Sequence, residues 1–296
     1  MQKREKIGSM KQVHEEAMRI SEKSGDKRAV VVFDSGVGGL PYLRRLREML
    51  PNERFSYVAD TANFPYGEKS TVELTDIIHS QMKRVIDRLD PKLAVIACNT
   101  ASVVALADLR AAFGIPFVGV VPAIKPASEH SENGIIGLLA TRKTVNDPYT
   151  RNLEQRFAAG KEVCRFAGVK IVELVEHGFF SSSKEQKREI LRPAVEYFLS
   201  CSIDQLIIAC THFLFLEEEL AEMLGGDVTL VDSRDGVARQ TRRLLRGEGL
   251  MRDAGSIDEY GGKTPGAEGF YITGAAASET YRRFAEMHGL EWRSEL

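Results

Sequence analysis

The chain has 296 residues with 40 basic and 42 acidic side chains, and this near balance excludes a field that attracts the whole molecule to nucleic acid or to a membrane surface. Its hydrophobic fraction of 43% is ordinary for a globular protein, and no apolar run approaches the length that spans a bilayer. The four cysteines form neither a Cys-x-x-Cys pair nor a zinc signature. We therefore expect a cytoplasmic protein with free thiols and no bound metal.

The apolar pattern predicts strands that alternate with helices behind a charged segment, residues 1–28, with helical spacing across Met10 to Ile20. Strands are expected at residues 28–33, 55–58, 94–97, 117–121, 135–139, 169–174, 205–209, 228–231 and 270–273. Helices are expected at residues 40–50, 72–89, 103–113, 147–157, 184–199 and 235–246, with another after the strand at 205–209. A surface loop is expected at 252–268. This alternation indicates an α/β fold with parallel sheets, whose ligand sites lie beyond the carboxyl ends of the strands.

Two segments of the chain are near copies of each other. Leu93-Ala-Val-Ile-Ala-Cys98 and Leu206-Ile-Ile-Ala-Cys210 are apolar runs that end on Ile-Ala-Cys, and their cysteines are 112 residues apart. Each is preceded by another strand that ends in small polar residues, at Asp34-Ser35 and at Thr141. The repeat predicts a duplicated fold in which two matched thiols reach one substrate from both sides. That is the geometry needed to invert a stereocentre.

A thiol at a strand end that opens a helix lies near the positive pole of the helix dipole, so we expect a lowered pKa and a reactive thiolate at both positions. Asn99, Thr100 and Thr211 are suited to cap these helix starts, and the same N–H groups can hold a carboxylate. His212 is either an ordinary loop histidine or a proton partner of Cys210.

Other chemistry-bearing residues have a structural interpretation beside the functional one. Asp34 is either a turn former before Gly36 or a carboxylate beside a thiol. The glycines at 36, 38 and 39 do not match a nucleotide-binding spacing and favour close backbone packing. Cys164 and Cys201 are expected to be structural.

Taken together, these segments resemble the glutamate racemase family of the aspartate/glutamate racemase superfamily. The matching stretches follow family order: Phe33-Asp-Ser-Gly-Val-Gly-Gly-Leu40, Asp60-Thr-Ala-Asn-Phe-Pro-Tyr-Gly67, Ala97-Cys-Asn-Thr-Ala101, Gly119-Val-Val-Pro122, Gly137-Leu-Leu-Ala-Thr141, Glu173-Leu-Val-Glu176, Ala209-Cys-Thr-His212, Val231-Asp-Ser233 and Phe270-Tyr-Ile-Thr-Gly274. The chain departs from the family at Phe213-Leu214, where Tyr-Pro is usual, and in its N-terminal leader.

The resemblance implies two similar, pseudo-symmetric α/β domains with mainly parallel sheets, an active site in the interdomain cleft, and no cofactor. On this interpretation residues 1–28 are an N-terminal extension. Residues 29–122 with 236–296 form the first domain, and residues 123–235 form the second.

The resemblance also assigns roles to residues. Cys98 and Cys210 are the two proton donors and acceptors, facing D- and L-glutamate respectively. Asp34 assists Cys98, His212 assists Cys210, and Glu176 orients the histidine. The residues implied to bind substrate are Asp34, Ser35, Pro65, Tyr66, Gly67, Asn99, Thr100, Thr141, Thr144, Thr211 and His212.

The expected activity is cofactor-independent racemisation of glutamate by a two-cysteine, two-base mechanism. It would supply D-glutamate for peptidoglycan synthesis in the cytoplasm, without nucleic-acid or membrane partners. The resemblance also implies a homodimer, an assembly that is common in the family. Three alternatives stay open. They are a racemase of another amino acid, of the aspartate or hydantoin type; a cysteine hydrolase that uses Cys210 with His212 and leaves Cys98 without a role; and a binding module without catalysis.

Overall fold

The computed structural model describes residues 26, 28–252, 268–274 and 278–296. Its strands are β1 (Val30–Asp34), β2 (Phe55–Ala59), β3 (Leu93–Ile96), β4 (Phe117–Gly119), β5 (Ile135–Ala140), β6 (Glu162–Ala167), β7 (Gln205–Ala209), β8 (Thr229–Val231), β9 (Gly269–Ile272) and β10 (Trp292–Glu295). Its α-helices are α1 (Leu40–Met49), α2 (Thr71–Leu89), α3 (Asn99–Ala112), α4 (Ile124–His130), α5 (Arg142–Asn146), α6 (Pro148–Phe157), α7 (Val169–Glu173), α8 (Lys184–Ser200), α9 (Glu217–Leu224), α10 (Arg234–Gly247) and α11 (Ser278–Met287).

The strands form two sheets in which every neighbouring pair is parallel. The first sheet has the order β10-β9-β2-β1-β3-β4, and the second has the order β6-β5-β7-β8. The run β2-β1-β3-β4 therefore corresponds strand for strand to β6-β5-β7-β8, with β9 and β10 added at one edge of the first sheet. This correspondence confirms the pseudo-symmetric α/β fold. The predicted domain limits stay a prediction.

The sequence forms these elements for ordinary reasons. β1 and β2 are buried along their whole length, as expected for strands covered on both faces. α2 begins where the Ser70 hydroxyl accepts a hydrogen bond from the Glu73 amide, and it ends at Asp90, which has a φ of 41°. The face that α2 buries repeats at helical spacing and consists of Leu74, Ile78, Met82, Val85 and Leu89.

The two halves share one apolar core as well as having cores of their own. A single cluster of buried side chains includes Val37 and Leu40 from the first half and Phe213 and Leu216 from the second. This contact brings the start of α1 against the 3₁₀ helix Thr211–Leu216 that follows β7. The carboxyl ends of the two sheets are thereby held close together.

Most predicted elements are confirmed within a few residues, but one assignment was wrong. Residues 169–174, predicted as a strand, form α7 and the start of a π-helix, Leu174–Gly178. Their β-branched side chains follow helical spacing, because Ile171, Val172 and Val175 are buried while Glu173 faces outward.

Five elements were not predicted: β6, β10, α4, α5 and α11. The helical spacing at Met10 to Ile20 lies outside the described residues, as does most of the predicted loop at 252–268. In the described part of the chain, no helix is both long and apolar enough to cross a membrane.

Candidate active site

Both repeated cysteines lie at equivalent places and line the same cavity. Cys98 directly follows Ala97 at the end of β3, and Cys210 follows β7, the matching strand of the second sheet. The cavity has a volume of about 320 Å³ and opens between the carboxyl ends of the two sheets. The predicted convergence of the two thiols on one space is present in the structure.

Most residues predicted to bind substrate line this cavity. They are Ser35, Pro65, Tyr66, Gly67, Asn99, Thr100, Thr141, Thr211 and His212. Asp34, Thr144 and Glu176 do not line it; all three are fully buried behind the lining residues. These three can therefore act on a ligand only through other side chains or through their charge.

Cys98 stands at the N-cap position of α3 and is almost completely buried. Its Sγ lies 3.8 Å from the Ser35 hydroxyl. Burial raises the pKa of this thiol, and the nearby negative charge of Asp34 raises it further, against a smaller lowering by the Ala101 backbone. The expectation of a lowered pKa at Cys98 was therefore wrong. Desolvation of a buried thiolate outweighs the favourable end of the helix.

Cys210 is paired with a buried histidine and carboxylate. Its Sγ lies 4.0 Å from Nδ1 of His212, and Nε2 of His212 lies 2.7 Å from Oε2 of Glu176. Burial alone lowers the pKa of His212, but hydrogen bonds with Cys210 and Glu176, together with the carboxylate charge, raise it well above its ordinary value. The helix that follows Cys210 is a 3₁₀ helix, and the buried side chains of Phe213 and Leu214 fill the place of the usual Tyr-Pro.

Glu176 is held rigidly by three donors. Besides His212, the Val37 amide donates to Oε2 at 3.1 Å and the Tyr281 hydroxyl donates to Oε1 at 2.5 Å. Burial by itself raises the pKa of Glu176, yet these hydrogen bonds and the charge of His212 lower it below the ordinary value. A buried carboxylate with this set of partners fixes both the position and the protonation of the imidazole.

Asp34 connects the end of β1 to the segment that follows Cys210. Its Oδ1 accepts from the Gly36 amide at 3.0 Å, and its Oδ2 accepts from the Thr211 hydroxyl at 3.1 Å. Burial raises the pKa of Asp34 to about 6, although His212 and the Gly36 amide act in the opposite direction. Its charge acts on Cys98, and the Ser35 hydroxyl, which donates to Asp34 Oδ1 at 3.4 Å and lies 3.8 Å from Cys98 Sγ, links the two side chains.

The glycines after Asp34 allow the two halves to approach closely. A Cβ atom at Gly36 would overlap the carboxylate of Glu176, and one at Gly38 would overlap Thr211 and His212. The prediction that these glycines serve close backbone approach is confirmed. Any side chain at either position would displace the residues that support Cys210.

Asn99 stands out because its buried side chain has no hydrogen-bond partner among the residues that the structure describes. Both Nδ2 and Oδ1 lack hydrogen bonds, and the residue lines the cavity while only 2% exposed. The expectation that it caps α3 was wrong, because the cap position belongs to Cys98 and its helix start has no side-chain cap. An amide left unpaired in a cavity is available to a ligand.

Three threonine hydroxyls join the two halves beside Asn99. Thr100 lies 3.0 Å from Thr141 and 3.3 Å from Thr144, and the Thr141 hydroxyl donates to Thr144 at 3.1 Å. Thr141 also caps α5 by accepting from the Thr144 amide. Thr144 thus supports the cavity wall from behind.

The loop that carries Tyr66 is anchored by a buried aspartate. Asp60 accepts hydrogen bonds from the Tyr66 hydroxyl at 2.5 Å, from Thr273 at 2.5 Å and from Asn63 at 2.9 Å. These contacts fix Pro65, Tyr66 and Gly67 against the cavity.

Six further residues line the cavity and were not assigned from the sequence: Phe64, Glu68, Arg142, Val169, Val172 and Glu173. Phe64 and Glu173 fall inside the matching motifs, and Arg142 directly follows one, so adjacency to those motifs was the available signal. Val169 and Val172 were hidden by the incorrect strand assignment.

The described residues contain no group of three or more His, Cys, Asp or Glu side chains that could hold a metal ion. What the cavity does offer is two thiols on opposite halves, an imidazole with a raised pKa beside one of them, and the unpaired amide of Asn99 in its lining. This arrangement can exchange protons with a bound molecule on two sides.

Comparison with known proteins gives the same assignment. The Asp/Glu/hydantoin racemase family matches residues 39–241. The glutamate racemase of Klebsiella pneumoniae (strain 342) is 44% identical over 238 residues, which are 80% of this chain and 83% of that protein. The glutamate racemase of Salmonella typhimurium is 44% identical over 252 residues, which are 83% of this chain and 87% of that protein.

Solved structures agree in fold. Escherichia coli glutamate racemase, in complex with L-glutamate and the activator UDP-MurNAc-ala, superimposes with a TM-score of 0.79 at 38% identity, over 91% of this chain and 98% of that one. Glutamate racemase from Francisella tularensis, in complex with D-glutamate, superimposes with a TM-score of 0.73 at 27% identity, over 92% of this chain and 97% of that one. The chain belongs to the Asp/Glu/hydantoin racemase family.

Proposed function

We propose that this chain is a glutamate racemase that interconverts L- and D-glutamate with two cysteine thiols and no cofactor. The observation that carries the proposal is the placement of Cys98 and Cys210 at matching strand ends on one cavity. Relatives that are 44% identical over most of the chain are glutamate racemases, which supports glutamate as the substrate.

The reaction removes the α-proton of glutamate on one face and returns a proton on the other. In one direction the Cys210 thiolate takes the proton and the Cys98 thiol supplies one, and in the other direction the two sulfurs exchange roles. The protonated state of Cys98 that burial favours makes it the donor in the resting enzyme. Properly placed acid and base groups typically contribute ~10²–10⁴-fold to such a step.

Charge develops on the substrate carboxylate as the α-proton leaves, so the site must stabilise it without an electron-sink cofactor. The unpaired amide of Asn99, the hydroxyl of Thr100 and the first amides of α3 are the groups proposed to do this. Donors that are already fixed around the cavity need little reorganisation as the charge forms.

His212 and Glu176 are proposed to set the proton balance at Cys210. The imidazole of His212, held by the buried carboxylate, lies 4.0 Å from the Cys210 sulfur and is placed to exchange a proton with it. At Cys98, burial and the negative charge of Asp34 favour the thiol.

The cellular role is proposed from the family: a cytoplasmic enzyme that supplies D-glutamate for peptidoglycan and hence for cell-wall formation and cell shape. We also propose the domain limits given above. We further propose a homodimer, and light scattering of the purified protein would test this assembly.

The direct test of function is circular dichroism of L-glutamate incubated with the purified protein and no added cofactor. We expect the signal to decay to zero as the racemate forms. A constant signal would overturn the proposal. Aspartate and a hydantoin, assayed in parallel, separate the related racemases, and burst release of an acyl product from an ester would instead indicate a hydrolase.

A further inference from the structure

The chain has two further cysteines that the proposed reaction does not use. Cys164 lies on β6 and is 5% exposed, while Cys201 ends α8 and is partly exposed. Both are free thiols, both pack on the same apolar cluster, and neither lines the cavity.

The packing of β6 on α8 places these two side chains opposite each other. The rings of Phe166 and Tyr197 are in contact, with centroids 5.7 Å apart. Cys164 is two residues before Phe166 on the same strand face, a step of about 6.6 Å. Cys201 is four residues after Tyr197 on the same helix face, a step of about 6 Å.

The directions of these two steps agree. α8 connects the parallel strands β6 and β7, so it runs back in the opposite direction to β6. Moving backwards along the strand therefore corresponds to moving forwards along the helix. The backbone stays helical through Cys201, with φ −78° and ψ −13°. Burial raises the pKa of Cys164, and its contact with the Cys201 thiol raises it further, as expected for neighbouring sulfurs.

The two cysteines bracket the segment that forms one wall of the cavity. Val169, Val172 and Glu173 line the cavity, and Glu176 holds His212, and all of them lie between positions 164 and 201. A bond between the two sulfurs would tie the two ends of this segment together.

We propose that Cys164 and Cys201 are a redox-sensitive pair that forms a reversible disulfide by exchange with a small-molecule disulfide. The accessible Cys201 thiolate attacks one sulfur of the small disulfide, and a thiolate leaves. The Cys164 thiolate then attacks the Cys201 sulfur, and the second thiolate leaves. The small disulfide gains two electrons and the two protons given up by the protein thiols, so the step is balanced.

The bond closes a loop of 38 residues, counted from 164 to 201 inclusive, and so restricts the unfolded chain. We expect the oxidised protein to unfold at a temperature higher by on the order of 5 °C. Reduction with dithiothreitol should reverse the shift.

The test uses the folded full-length protein with glutathione disulfide. Mass spectrometry should show the loss of two hydrogens, and a digest that separates Cys201 from Cys210 should contain a peptide pair linked through Cys164 and Cys201. The cross-link and the thermal shift should be absent from Cys201→Ser and from Cys164→Ala, while both variants should still racemise glutamate. The Cys98→Ser/Cys210→Ser protein should still form the link.

Three results would overturn the proposal: stable glutathione attachment at Cys201 without a cross-link, no modification of either thiol, or cross-linking only in denaturant. None of them bears on the proposed racemase activity, because neither cysteine touches the cavity. A failure of this proposal is therefore distinguishable from a failure of the proposed function.

Discussion

Replacing Glu176 with glutamine tests whether the buried carboxylate sets the protonation of His212. Glutamine keeps the shape of the side chain, and its oxygen can still accept from His212 and Val37. What disappears is the negative charge. Two opposite charges separated by the 2.7 Å between Nε2 and Oε2 attract by about 6 kcal/mol at an effective dielectric constant near 20, which sets the scale of the loss.

Without this charge, burial dominates and the pKa of His212 falls. The raised pKa in the wild type stabilises the folded state at low pH, and this contribution is lost as pH rises through the folded-state value. In Glu176→Gln, where burial dominates, this stabilisation at low pH should disappear. The alkaline limb of kcat/KM should move to lower pH for the same reason, and kcat/KM at neutral pH should fall roughly 100-fold.

The assay is circular dichroism of each glutamate enantiomer across pH. Free L- and D-glutamate have equal free energies, so kcat/KM must fall equally in both directions, which provides an internal check. Glu173→Gln is the matched control. It removes the same charge from an exposed side chain on the cavity that has no hydrogen bond to His212. Near wild-type kcat/KM with an unmoved alkaline limb in Glu176→Gln would refute the reasoning.

Three more predictions follow from single contacts. Asn99→Ala should raise KM for glutamate about 10-fold without lowering the melting temperature of the free protein, because no protein hydrogen bond is lost; a lower melting temperature with unchanged KM would contradict this. Lys92→Met breaks the fully buried pair with Glu53, 2.5 Å apart, and should cost about 3–5 kcal/mol in urea unfolding; an unchanged midpoint would contradict it. Because the pKa of Asp34 is raised to about 6, the protonated carboxyl stabilises the folded state fully below about pH 3.8, and this stabilisation is lost as pH rises through 6. Asp34→Asn should remove about 3 kcal/mol of this pH dependence of the free energy of unfolding. A wild-type pH profile of stability in the variant would refute the prediction.

The fold and the position of the site were accessible from the sequence because they depend on local patterns. Apolar runs that end on Ile-Ala-Cys gave β3 and β7 and placed both thiols at carboxyl strand ends. The α7 segment was misassigned because β-branched residues favour strands on their own, and only tertiary packing makes Val169 and Val172 helical here.

The electrostatics of the site could not be read from the sequence. The raised pKa of Cys98 depends on how deeply the thiol is buried and on the charge of Asp34, and both result from the packing of distant segments. The link from Tyr281 to Glu176 joins residues 105 positions apart, and no local signal in either segment predicts it. The free amide of Asn99 is likewise visible only once its surroundings are known.

Deuterium incorporation by single-cysteine variants tests the two-thiol mechanism most directly. In deuterated water, Cys98→Ala and Cys210→Ala should each lose racemisation. Each should still exchange the α-proton of one enantiomer, and the two variants should exchange opposite enantiomers, because the remaining sulfur removes and returns a proton on its own face. Racemisation at near wild-type rate in either variant, or exchange of the same enantiomer by both, would contradict the account.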